Sequence, residues 1–192
     1  MGNEKILVID NYDSFTYNLV HLLQELNQKY TVLRNDKFKL EEVEEYDKIL
    51  LSPGPGIPEE AGLLMDIIRT YAATKSILGI CLGQQAIAEV FGGTLYNMPK
   101  PLHGVATDII ITDDEEPLFK SFPIDAKIGR YHSWAVNKET LPEDLRITAV
   151  DSAGIIMAIT HKSYNVRGMQ FHPESVLTPN GKILIENWLQ IK

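Results

Sequence analysis

The sequence predicts an α/β fold: one domain, residues 1–192, built on an open, mainly parallel sheet flanked by helices, with extra strands in the second half. Two observations carry this. Through residue 93, short β-branched runs that are apolar on both faces alternate with helical patterns, the order expected of a parallel sheet covered on both sides. Beyond Gly93 the pattern changes and closely spaced strand-like runs take over, as in a mixed sheet or hairpins added over one edge.

The first-half strands are predicted over residues 5–9, 30–33, 48–51 and 76–80. A helix is predicted over 15–26, where Leu19, Leu22, Leu23 and Leu26 recur at spacings of three and four, with Ser14 as its N-cap. Further helices are predicted over 62–71 and 82–91, the second stopped by Gly92-Gly93. The acidic run Glu41-Glu42-Val43-Glu44-Glu45 reads as a solvated helix face. In the second half, strands are predicted over 107–112, 127–134, 145–150, 155–160 and 166–171, and a closing helix over 181–189. No linker, internal repeat or low-complexity segment divides the chain.

Composition narrows the function classes. At 44% apolar and 23% charged residues the chain is an ordinary globular protein, long enough at 192 residues to bury a core. A net charge of −8 argues against a nucleic-acid partner, which requires a basic surface. The lone cysteine, Cys81, excludes an intrachain disulfide. The first apolar run, Ile6-Leu7-Val8-Ile9, is too short for a signal peptide or a membrane span, and Ile6 stands where an acylation motif beginning Met1-Gly2 needs Ser or Thr. A cytoplasmic location with no membrane partner is expected.

The sharpest motif is Gly79-Ile80-Cys81-Leu82-Gly83, between a predicted strand and a predicted helix. A nucleophile flanked in this way sits on a tight strand-to-helix turn. Glycines remove Cβ atoms where the two elements crowd, the helix N-terminus favours a thiolate, and the N–H of Leu82 is free to face an oxyanion. A lone cysteine is more often a small buried hydrophobe, but that reading leaves both glycines unexplained. A thiol nucleophile needs a base. Of the five histidines, His172 is best placed, at the end of the strand predicted over 166–171, and Glu174 is close enough to orient its ring. Ligands of open α/β sheets bind beyond the carboxyl ends of the strands, where Cys81 and His172 would both lie. His21 and His161 read as surface residues. No histidine pair has the spacing of a helix-borne metal site, so no metal is expected. Ser52-Pro53-Gly54-Pro55-Gly56, after the strand over 48–51, is a stiff loop whose glycines admit close backbone approach, suited to an oxyanion hole.

Together with Asp10-Asn11-Tyr12-Asp13-Ser14-Phe15-Thr16-Tyr17-Asn18, Gln84-Gln85 and Phe171-His172-Pro173-Glu174, these motifs make the chain similar over nearly its whole length to the class I glutamine amidotransferases. These enzymes have a flavodoxin-like sheet and a Cys-His-Glu triad. The Asp10–Asn18 segment resembles the branch serving anthranilate synthase and aminodeoxychorismate synthase. The resemblance implies catalysis by Cys81, His172 and Glu174, and an oxyanion hole at Gly54 and Leu82. It implies L-glutamine binding by Gly54, Pro55, Gly56, Gln85, Ser133 and Trp134. It implies a chorismate-binding synthase subunit as a separate chain, facing Asn11, Tyr12, Asp13, Ser14, Tyr17, Asn18, His103 and Gly104. This chain would need no cofactor, and any Mg²⁺ would belong to the partner. The alternatives are a γ-glutamyl cysteine hydrolase of the same fold and a non-catalytic interaction subunit.

Overall fold

The structure is a computed structural model describing residues 4–192; Met1 and Gly2, which bear on acylation, and Asn3 lie outside the described residues. Its centre is an eight-stranded sheet. Four parallel strands come from the first half: β1 (Ile6–Asp10), β2 (Tyr30–Arg34), β3 (Lys48–Leu51) and β4 (Ser76–Ile80). The chain returns late to add β12 (Val166–Met169), parallel to β4, with Met169 opposite Ile80. Antiparallel strands β11 (Ile156–His161), β10 (Leu145–Val150) and β7 (Ile110–Ile111) extend the sheet, giving the order β2-β1-β3-β4-β12-β11-β10-β7.

Alternation along the strands explains the layering, because successive side chains leave a sheet on opposite faces. On β1, Ile6 and Val8 join a cluster with Leu19, Leu23, Leu184 and Trp188, while Leu7 and Ile9 join one with Leu64, Ile67, Ile68 and Ile87. Helices α1 (Thr16–Glu25) and α4 (Gly181–Gln190) therefore cover one face, and α2 (Leu64–Tyr71) and α3 (Leu82–Val90) the other. Each fully buried Leu or Ile contributes about 1.5–3 kcal/mol, so the two-faced runs hold the strands between helices. No helix among the described residues is long and apolar enough to cross a membrane.

Several elements differ from expectation. Residues 107–112 form two strands, β6 (Val105–Asp108) and β7, separated by buried Ile109. Residues 127–134 also split: β8 (Lys127–Arg130) pairs with β6, and β9 (Trp134–Val136) pairs with β5 (Leu95–Asn97). Between them the carbonyls of His132 and Ser133 accept from the N–H groups of Leu102 and Met98. The chain leaves one small sheet for another, which a continuous apolar pattern does not reveal. The acidic run lies in a 3₁₀ turn, Leu40–Glu45, pinned by buried Val43. Ser14 is not the cap of α1. Asp13 folds back instead, its Oδ1 accepting from Phe15 N–H at 2.8 Å and its carbonyl from Thr16 N–H, so the helix starts at Thr16.

Candidate active site

The carboxyl ends of β1, β3, β4 and β12 lie along one sheet edge, and the predicted motifs leave from them. Cys81 follows Ile80 directly and caps α3 with φ 53° and ψ −100°, the left-handed half of the map that a residue with Cβ rarely adopts. Surrounding glycines make the turn feasible. A Cβ on Gly79 would lie 2.4 Å from the Gly83 carbonyl carbon, and one on Gly83 would lie 2.9 Å from Leu51 Cβ. The strained turn is anchored by a 2.7 Å hydrogen bond from Cys81 N–H to the Met169 carbonyl, which ties it to β12.

His172 lies just past β12, held to β8 by its N–H on the Gly129 carbonyl. Its Nδ1 meets Glu174 Oε1 at 2.7 Å, and both side chains are buried. Nε2 has no hydrogen-bond partner among the described residues. Burial works against the imidazolium, but the Cys81 sulfur and the Glu174 carboxylate outweigh it and push the pKa up to about 10. The ring is held edge-on by Phe15 at 5.1 Å and Tyr131 at 4.9 Å between centroids. The structure thus brings Cys81, His172 and Glu174 together at adjacent strand ends.

The Gly54 loop packs on the same turn. A Cβ on Gly54 would lie 2.5 Å from Leu82 Cδ2 and 2.7 Å from Asn11 Cβ, so only glycine fits. Leu82 is the first residue of α3, and its N–H has no acceptor inside the helix. Pro55 and Gly56 are exposed at the loop tip, where Gly56 takes φ 72°. Gln85 lies one helical turn after Cys81, its Nε2 donating to the Trp134 carbonyl at 3.0 Å and to Gln170 Oε1 at 3.2 Å. Ser133 and Trp134 are partly buried beside it.

The residues expected to face a partner divide. Tyr12, Ser14, Tyr17, Asn18, His103 and Gly104 are exposed, and Asp13 is half-buried. Asn11 is buried instead: its Nδ2 donates to the Ser52 carbonyl at 2.8 Å, and its Oδ1 accepts from Asn35 at 3.0 Å. It supports the Gly54 loop from below. His21 is on the surface as expected, beside Glu25. His161 is buried, stacked 4.3 Å from Tyr164, with Nδ1 accepting from the N–H groups of Ser163 and Tyr164. The strand end folds back over it, which its polar sequence neighbours do not suggest.

Sequence reasoning missed Gln170, whose Nε2 lies 3.5 Å from Cys81 Sγ, and the buried pair Arg130–Asp151. A usable signal existed for Gln170. It precedes His172 by two residues, the strand period, within the run predicted as a strand through residue 171.

Comparison with known proteins identifies the family. The family model Glutamine amidotransferase class-I matches residues 7–191. Anthranilate synthase component 2 of Cyanophora paradoxa is 46% identical over 187 residues, covering 96% of this chain and 97% of that protein. Aminodeoxychorismate/anthranilate synthase component 2 of Bacillus subtilis is 43% identical over 187 residues, covering 96% and 95%. The crystal structure of a glutamine amidotransferase from Thermotoga maritima superposes over 100% of both chains with a TM-score of 0.78 at 19% identity, a likeness of fold. With the family model spanning nearly the whole chain and such relatives matching end to end, this protein belongs to the class-I glutamine amidotransferases.

Proposed function

We propose that this chain is the glutaminase subunit of a chorismate-aminating synthase, hydrolysing L-glutamine and passing ammonia to a separate synthase chain. The observation that carries the chemistry is the buried His172–Glu174 pair, in which His172 Nε2, without a hydrogen-bond partner among the described residues, lies at the strand end beside Cys81. The names of the relatives support the choice of synthase.

The Cys81 thiolate attacks the carboxamide carbon of glutamine. The resulting oxyanion is held by the N–H groups of Gly54 and Leu82, donors preorganised by the loop and the helix start. Protonated His172 gives its Nε2 proton to the leaving nitrogen, and ammonia departs, leaving a γ-glutamyl thioester. His172, now neutral, takes a proton from water as that water attacks the thioester. Glutamate leaves and the thiolate returns. Glu174 holds the ring through Nδ1 and stabilises its charge. The remaining chemistry, amination of chorismate, belongs to the partner together with any Mg²⁺.

The test is amination by a chorismate-using synthase with glutamine or with ammonium as nitrogen source. Glutamine-dependent amination should require this chain and be abolished by Cys81→Ser, with ammonium-dependent amination intact. Glutamine hydrolysis that the synthase leaves unchanged, with no glutamine-dependent amination, would rule the assignment out.

A further inference from the structure

Behind the triad lies a buried chain of polar groups that the proposed chemistry does not use. Arg130 Nη1 is paired with Asp151 Oδ2, and Arg130 Nε lies 3.1 Å from His132 Nε2. His132 Nδ1 is 2.8 Å from the Trp134 carbonyl, on which Gln85 Nε2 also converges at 3.0 Å. Gln85 then meets Gln170, and Gln170 meets Cys81. Arg130, His132, Gln85, Gln170 and Asp151 are all buried.

Elimination fixes the direction of every bond. Arginine has no acceptor, so His132 Nε2 must accept. The proton of the neutral ring then sits on Nδ1 and is donated to the Trp134 carbonyl. That carbonyl can only accept, so Gln85 must present its NH₂ there. The same NH₂ donates to Gln170 Oε1. The Gln170 amide cannot flip without setting two NH₂ groups against each other, so its own NH₂ is directed at Cys81 Sγ. Burial agrees with a neutral His132, lowering its pKa to about 4.

We infer that Gln170 is a thiolate-positioning donor: its amide N–H stabilises and aims the Cys81 sulfur, and the Arg130–His132–Trp134–Gln85 relay holds that amide in the one orientation that can donate. The inference rests on the reading of Cys81 as the nucleophile. It gives the thiolate a charge-stabilising donor on the side of Gln170, independent of the imidazole. It also commits both lone pairs of the Trp134 carbonyl, leaving Gln85 Oε1 as the free atom of that side chain.

The chain has a single cysteine, so the pH dependence of its alkylation by iodoacetamide, read by intact mass, reports Cys81 alone. Gln170→Met keeps the side-chain length and removes the donor. It should raise the alkylation midpoint by about one pH unit, the size expected for a lost hydrogen bond to a charged group. It should also lower kcat for glutamine hydrolysis about tenfold with little change in KM. Gln170→Glu keeps the bond from Gln85 but turns a carboxylate oxygen toward the sulfur, and should raise the midpoint further. A folded Gln170→Met protein with the wild-type alkylation profile overturns the inference, whatever its Tm. If the Met variant does not fold, an unchanged or lowered midpoint in Gln170→Glu overturns it instead. Alkylation needs neither glutamine nor partner, so a wild-type chain inactive on glutamine would defeat the proposed function while this test still gave its answer.

Discussion

Gln84 and Gln85 are sequence neighbours with opposite accounts. Gln85 spends its amide on the site, whereas Gln84, about 100° around the helix, faces the sheet. Gln84 is fully buried, and neither its amide nitrogen nor its amide oxygen has a hydrogen-bond partner among the described residues. Its stem presses on β12, where a Cβ on Gly168 would lie 2.8 Å from Gln84 Cγ. A buried amide with both ends unpaired costs free energy, and an apolar group of similar shape removes that cost. Gln84→Met should therefore raise stability by about 1–3 kcal/mol, seen as a higher Tm and urea midpoint. A Tm at or below wild type would mean that the amide is satisfied in solution.

At the scale of elements, the informative contact is between the segment after β1 and the loop after β3. Asn11 clamps the Ser52 carbonyl through Nδ2 and donates its own N–H to Ser52 Oγ. Ser52 leads directly into Pro53-Gly54, so the exposed surface around Tyr12 and Tyr17 is mechanically joined to the Gly54 loop, the proposed source of an oxyanion donor. Asn11→Ala removes the side-chain half of this clamp. Misplacement of a catalytic group by about 1 Å costs on the order of 10²-fold, and glutaminase kcat should fall at least tenfold toward that limit, while ammonium-dependent amination by the synthase is unchanged. An undiminished kcat would show that the loop holds itself in place. Asn11 also shows what the sequence could and could not disclose. The meeting of Cys81, His172 and Glu174 at adjacent strand ends was legible because each sits in a short motif whose glycines or proline have a local steric meaning, at the end of an apolar run that announces a strand. The parallel half of the sheet was legible for the same reason. The burial of Asn11 and His161, the break at Tyr131-His132-Ser133, and the pairing of Arg130 with Asp151 are decided by contacts between elements far apart in the chain. A polar residue in a loop has the same local pattern whether water or another loop satisfies it.

Over the whole molecule, three buried histidines contribute to how stability varies with pH, and they act in opposite directions. Burial lowers the pKa of His132 from 6.5 to about 4, and burial also lowers that of His161. Unfolded histidines take up a proton below 6.5 while these two stay neutral in the fold, so the unfolded state binds more protons there and stability falls with pH. For His132 that loss runs from pH 6.5 down to about 4; its full extent is on the order of 3 kcal/mol. His172 has the opposite sign. Its folded pKa is raised to about 10, so its contribution is fully present below 6.5 and is lost as pH rises toward 10. The histidines together therefore favour a stability maximum near pH 6.5, with a decline on each side that has a separate structural origin. Urea unfolding at pH 4.5, 6.5 and 8.5 should show this in the wild type. His132→Gln should flatten the acid limb, and His172→Gln the alkaline limb. If His132→Gln leaves the acid limb as steep as before, the neutral ring between Arg130 and the Trp134 carbonyl is not what acid attacks. If both variants merely shift the whole curve downward, the two limbs do not arise from these rings.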